Sequence, residues 1–147
     1  MVKSTRQIGK CGELLVQYRL LKHGIESAPL TTDLGIDLIA FPDIEQKPLK
    51  IQVKTSTHHG DVGERYLRWQ IPEDCPADYV AAVDFERDKF WLIRTEEFKR
   101  IAYRRADRKL DLRLLLLGCE SGRPGRKEEQ FNDCEMEAAI PRIFGLK

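Results

Sequence analysis

With 147 residues, 17.0 kDa and 41% hydrophobic content, the chain suits one soluble domain with a core of its own. No apolar run reaches membrane-spanning length, and Met1-Val2-Lys3-Ser4-Thr5-Arg6 enters a helical pattern without a signal-peptide core, so a cytosolic (cytoplasmic) protein is expected. A net charge of +1 argues against strong indiscriminate nucleic-acid binding, and Cys11, Cys75, Cys119 and Cys134 form no C-x-x-C spacing, which ranks zinc and disulfides below free thiols.

The first predicted element is a helix over about 4–23, with Ser4 or Thr5 as N-cap and Gly24 just past its end. Its apolar residues are Ile8, Leu14, Leu15, Val16, Tyr18, Leu20 and Leu21, so at least one face must be packed. Glu13 is its only acidic residue and lies beside that set, where an unpaired carboxylate is costly unless it meets a cation or a metal-bound water. Gly9 and Gly12 fall within one turn; each costs about 0.5–1 kcal/mol relative to Ala, which points to close backbone approach or access.

Residues 36–41 and 49–55 read as two strands of a hairpin around the polar turn 42–48. Alternation puts Gln52 and Lys54 on one face, about 6.7 Å apart, and sends Ile51 and Val53 to the other. A favourable register sets the Asp37 carboxylate beside the Gln52 amide and the Lys54 ammonium. Asp33 offers a second carboxylate or, more simply, forms a turn before Gly35. His58 and His59 follow closely enough to assist proton transfer or touch phosphate, although surface histidines are the simpler reading.

Further on, 66–71 reads as a strand stopped by Pro72, and 78–85 and 89–94 as strands joined by Glu86-Arg87-Asp88. Thr95 is expected to cap a helix running to about Arg105, with Glu96 and Glu97 in its first turn. The stretch 110–117 suits a buried strand or a packed helix, with strand preferred, and 121–127 is loop by composition. Arg123, Arg126 and Lys127 in that loop either touch DNA or face water. Trp69, Phe90 and Trp91 could stack on bases, with core packing favoured for at least two of them.

Charge is unevenly spread: +4 over residues 1–25, −7 over 26–98 and +5 over 99–113. An acidic centre between basic flanks fits a metal site between phosphate-gripping edges. Lys10, Arg100, Arg104, Arg105, Arg108, Lys109 and Arg113 are the expected nucleic-acid contacts, the alternative being solvated helix faces. Magnesium takes oxygen ligands, so Asp37, the Gln52 amide oxygen and the Val53 backbone carbonyl form an adequate donor set. Lys54 would then offset charge on the attacked phosphate or orient the attacking water.

Gly9-Lys10-Cys11-Gly12-Glu13, then Gly35-Ile36-Asp37, then Gln52-Val53-Lys54 resembles the PD-(D/E)XK nuclease superfamily, in its branch where Gln replaces the acidic residue of the last motif. The superfamily includes Holliday-junction resolvases, restriction enzymes and an intron-encoded homing endonuclease, and the resemblance covers roughly residues 5–100. It implies an α/β fold with a restriction-endonuclease-like αβββαβ core, a central mixed sheet flanked by helices, and Mg2+-dependent DNA cleavage with Mn2+ as a substitute. It also implies Asp37 as main metal ligand, Lys54 as catalytic lysine and Glu13 as a metal ligand through water.

The expected protein is thus a single nuclease domain over 1–147, with a core of about 5–105 and a C-terminal extension at 106–147. Glu13, Asp37, Gln52 and Lys54 are its candidate catalytic residues for phosphodiester hydrolysis. Cutting two strands needs two sites and hence a homodimer or larger assembly. The alternative is a catalytically weak or inactive nuclease-fold module that binds DNA or protein, and RNA stays open as substrate because nothing here reads a 2′-hydroxyl.

Overall fold

A computed structural model describes residues 3–32, 34–43, 45–122 and 125–146; Met1, Val2, Asp33, Ile44, Arg123 and Pro124, all read above, lie outside the described residues. Helix α1 spans Thr5–Lys22. Ser4 caps it reciprocally with Gln7: the Gln7 N–H donates to Ser4 Oγ at 3.1 Å and the Ser4 N–H to Gln7 Oε1 at 2.8 Å. Arg19 and Lys22 occupy its last turn, and Gly24 follows in the left-handed region at φ +79°. Gly12, Val16 and Leu20 recur at helical spacing and are buried. Burying Val16 and Leu20 contributes about 1.5–3 kcal/mol each. Leu14, Tyr18 and Leu21, grouped with them from sequence, are more than half exposed.

The central sheet holds five strands in the order β1-β2-β3-β5-β6: β1 Glu26–Pro29, β2 Leu38–Phe41, β3 Leu49–Ser56, β5 Tyr79–Asp84 and β6 Lys89–Arg94. Every neighbouring pair is antiparallel except β3 with β5. The α/β class and the mixed central sheet flanked by helices therefore stand. Parallel neighbours need a long crossover, and here it runs through β4, Tyr66–Pro72, a strand of a second sheet. That sheet pairs β4 with β8, Lys109–Leu115, and β8 with β7, Tyr103–Arg104, and with β9, Arg126–Lys127.

Two apolar layers result. On one face of the central sheet, α1 and α3, Met136–Ile143, enclose Val16, Leu20, Ile51, Val53, Ala139 and Ile140. Between the two sheets lie Leu67, Trp69, Val80, Ala82, Trp91 and Phe98. Trp69 and Trp91 meet edge to face at 5.7 Å, and Trp69 Nε1 donates to the Val83 carbonyl at 3.0 Å. These tryptophans and Phe90 are core residues with no surface for a base, since each is at most 2% exposed. Residues beyond 105 supply parts of both layers, because β8 closes the second sheet and α3 covers the first.

The helix expected to reach Arg105 is corrected to a short α2, Thr95–Ile101. Thr95 does not cap it. Arg94 holds the N-cap position without a side-chain bond, and the Thr95 N–H donates to the Asp78 carbonyl at 3.0 Å. The chain leaves α2 early because Tyr103 and Arg104 pair with β8. Strand β1 was not anticipated: its burial is confined to Ser27, so it lacks the alternation that marks a strand. No helix among the described residues is long and apolar enough to cross a membrane.

Candidate functional site

Strand β2 begins one residue after Asp37, and its register with β3 sets Leu38 opposite Ile51. The Asp37 N–H donates to the Ile51 carbonyl at 2.9 Å, which carries the pairing one step further. The Asp37 carboxylate then accepts from Gln52 Nε2 at 2.9 Å and from the Val53 N–H at 2.7 Å, both on Oδ2. Asp37 and Gln52 are thus brought together as the hairpin reading expected. Along a strand, alternate residues turn both backbone groups to the same edge. The Ile51 carbonyl and Val53 N–H face β2, so the Val53 carbonyl faces that edge as well, where β2 has already ended.

Gln52 is 5% exposed, and its Oε1 is buried without a hydrogen-bond partner. An acceptor in that state is normally paired, and leaving one unpaired costs about 1–3 kcal/mol. The bare oxygen beside a carboxylate, at a strand edge with a backbone carbonyl, fits a hard cation that takes oxygen ligands and keeps some of its waters. Among the described residues no group of three or more His, Cys, Asp or Glu side chains could hold a metal ion, so any cation here draws on amide and backbone oxygens.

Gly35 builds the approach to Asp37. It sits at φ +81°, and a Cβ there would lie 2.9 Å from Pro76 Cδ and 3.9 Å from Gln52 Oε1. Pro76 and the buried Cys75 thus close over the loop before Asp37. Burial raises the Cys75 thiol above its ordinary pKa, while Lys99 and Lys54 pull it down and Asp37 adds to the rise. Lys54 and Asp37 therefore both act on this one buried thiol. Lys54 is half-buried and makes no ion pair among the described residues.

Gln52 and Lys54 pair in register with Val80 and Ala82, which belong to the layer between the sheets. They therefore face the second sheet. Helix α1 covers the opposite face, where a Cβ on Gly12 would stand 1.9 Å from Thr55 Oγ1. Gly12 was singled out for close approach, and β3 is what it approaches. Glu13 follows it, one quarter exposed, and its Oε2 pairs with Lys10 Nζ at 3.2 Å. The structure gives Glu13 and Lys10 to each other and brings Asp37 and Gln52 together at the end of β2.

Other candidates have structural duties. His58 Nε2 lies 2.9 Å from Asp84 Oδ1 and its Nδ1 lies 3.0 Å from Glu86 Oε2, while His59 stacks on Tyr66 at 5.5 Å. The basic stretch 99–113 is divided among α2, β7, a turn and β8. Arg100 pairs with Glu97 at 2.5 Å, Arg104 with Glu73, and Arg105 with Asp107 at 3.3 Å. Arg108, at φ +64°, and Lys109 are exposed, and Arg113 lies over the Tyr66 ring with Cζ 5.1 Å from the centroid. Cys75 and Lys99 border the site and were missed, since a lone Cys and a lone Lys carry no local pattern.

A mixed-sheet α/β fold with an oxygen-lined strand edge is the class defined so far. A solved structure to which the chain is similar is that of a bacterial homing endonuclease, I-Ssp6803I, with a TM-score of 0.69 and 23% identity over 98% of this chain and 94% of that one. The likeness is one of fold. No protein-family model and no curated protein matches the sequence.

Proposed function

We infer that the chain is a metal-dependent endonuclease that hydrolyses phosphodiester bonds in DNA. The observation that carries this reading is the buried, unpartnered Oε1 of Gln52 beside the Asp37 carboxylate. Asp37, Gln52 Oε1 and the Val53 carbonyl would hold Mg2+, for which Mn2+ would substitute, and Glu13 would contribute through water. When bound, the cation supplies Lewis-acid polarisation of the phosphoryl oxygen and a water of lowered pKa.

The chain's own groups do the rest. The Val53 N–H and Gln52 Nε2 hold the Asp37 carboxylate in a defined direction. Lys54 places a positive charge on the same strand face, where it offsets charge gathering on the phosphoryl oxygens or orients the attacking water. The layer between the sheets keeps bulk water from the base of the site and strengthens both interactions. A single site cuts one strand, so scission of a duplex calls for a homodimer or larger assembly. The similarity to a structure of a homing endonuclease supports DNA as the substrate class.

The test is cleavage of labelled duplex, single-stranded, flap and four-way-junction DNA with Mg2+, Mn2+ or EDTA, comparing wild type with Lys54→Ala. Metal-dependent cutting that disappears in the variant is expected. Absence of cutting by wild type on every substrate, with DNA binding intact, would identify a non-catalytic nuclease-fold module instead.

A further inference from the structure

The outer face of the second sheet carries an arrangement that folding alone does not explain. Strands β4 and β8 send Leu67, Trp69, Ile71, Leu110, Leu112 and Leu114 inward, which leaves Arg68 and Gln70 opposite Arg113 and Asp111 on the outside. Arg68 and Arg113 are direct cross-strand partners, a like-charge placement that opposes strand pairing. Arg105 and Arg126 join them around an open cleft of about 780 Å³, whose floor includes Asp111 and whose wall includes the exposed Tyr103.

Part of this basic set is held in place. Arg68 Nε donates to Asp111 Oδ2 at 2.8 Å and its Nη2 lies 2.7 Å from the same oxygen in an ion pair, and that bond raises the Arg68 pKa against the opposing effect of burial. With its amide oxygen turned to the two guanidiniums, Gln70 accepts from Arg68 Nη2 at 2.7 Å and Arg105 Nη1 at 2.5 Å. Asp111, Arg68, Gln70 and Arg105 thus form one bonded row. Arg113 and Arg126 stand beside it without an ion pair among the described residues, and Arg113 is steadied by the Tyr66 ring.

We propose that this cleft seats the phosphodiester backbone of a nucleic acid, with Arg113 and Arg126 as the phosphate-contacting residues and Arg68 as the residue that positions the row. Four guanidiniums face one carboxylate, so the cleft complements an extended polyanion, and arginine's planar fork suits phosphate oxygens. The cleft lies on the outer face of the second sheet, whereas Gln52 and Lys54 face the layer on its inner side. The Arg68 N–H, donating to Ser56 Oγ at 3.0 Å, ties this sheet to the end of the strand that carries them. The proposal rests on the nuclease reading for the identity of the polyanion and on the cleft alone for its place.

The experiment measures binding of labelled DNA and RNA duplexes to the full chain by fluorescence anisotropy across a salt series in EDTA, so that cleavage does not intervene. Arg113→Ala and Arg126→Ala should each reduce the slope of log K against log salt by about 0.9 on B-form DNA, and the double variant by about twice that. Arg113→Lys should restore most of the slope, and Arg142→Ala, on the helix α3 that packs on the other face of the central sheet, should leave it unchanged. Unaltered slopes in both alanine variants, with wild type still binding DNA, would overturn the seat while sparing the nuclease reading. An equal loss in Arg142→Ala would overturn it too. Binding to neither duplex, or to polyglutamate alone, overturns both readings. RNA bound with the same variant dependence supports the seat and redirects the substrate.

Discussion

Two acidic clusters flank β3, and they are satisfied in opposite ways. Beyond its C-terminal end lies Asp84, fully buried, whose carboxylate accepts from the Glu86 N–H at 3.0 Å and the Arg87 N–H at 3.3 Å, meets His58 at 2.9 Å and pairs with the Arg87 guanidinium. Arg87 reaches on to Glu128 at 2.9 Å, and Glu128, 2% exposed, also takes Lys89 at 3.3 Å and the Leu117 N–H at 2.8 Å. Burial lowers the Arg87 pKa, but the Asp84 hydrogen bond and the charges of Asp84 and Glu128 outweigh it and raise the pKa. At the other cluster, the Asp37 carboxylate is fixed by two donors while the Gln52 oxygen beside it is left bare. A cluster that closes on itself is satisfied by the fold; one that leaves a buried oxygen without a partner is not, and that difference is what the proposed cation would remove.

The largest effect that separates the two clusters is on chemistry. Lys54→Ala should lower cleavage by about 10²–10³-fold, as loss of a single charge-stabilising donor does, with little change in the urea midpoint. On the proposed metal site, Mg2+ should raise the thermal midpoint of the wild type and Asp37→Asn should abolish that rise, read by differential scanning fluorimetry. A metal-induced rise that survives in Asp37→Asn would move the cation elsewhere. The converse holds at Asp84, where Asp84→Ala should leave any metal response intact yet destabilise the fold by about 3 kcal/mol in urea unfolding. That is the low end for a broken buried pair, because Arg87 keeps Glu128 and His58 keeps Glu86.

A smaller effect belongs to the helix that covers β3. Gly12→Ala drives a methyl group toward Thr55 Oγ1 and should cost about 1–3 kcal/mol in the same unfolding measurement. Thr55→Ala removes that oxygen, so the double variant should recover much of the loss and depart from additivity. Additive costs would show that the crowding comes from another part of the helix contact.

How much of this was legible in sequence follows from the range of each signal. The Asp37–Gln52 contact was readable only in part: a period of two assigns faces without further help, but the register that joins the two side chains, Leu38 opposite Ile51, was left open by the sequence. Helix α1 was readable because its cap, its spacing and Gly24 lie within one continuous segment. The second sheet was not, since β4 and β8 are about forty residues apart in sequence and nothing local declares that they pair. The basic stretch read as one track was divided by the same non-local pairing, which took Tyr103 and Arg104 out of the expected helix. Arg68 was passed over because it is a single charge until β8 brings it to the cleft, whereas Arg126 was read only as a loop residue that touches DNA or faces water.

The smallest expected effect is the most direct probe of the open cluster. Gln52→Met keeps an unbranched side chain of similar length, removes the bare Oε1 and also removes the donor to Asp37. The first loss relieves a buried acceptor that has no partner; the second gives up a hydrogen bond to a carboxylate that still accepts from the Val53 N–H. Those contributions are of similar size, about 1–3 kcal/mol each and opposite in sign, so metal-free stability should change by less than about 1 kcal/mol. If the proposed site holds Mg2+, stabilisation by the ion should nevertheless fall, because the proposed oxygen donor has become a thioether that a hard cation does not take. A large metal-free loss would show Gln52 to be structural, placing it with Asp84. An unchanged Mg2+ response would show that its oxygen faces no cation.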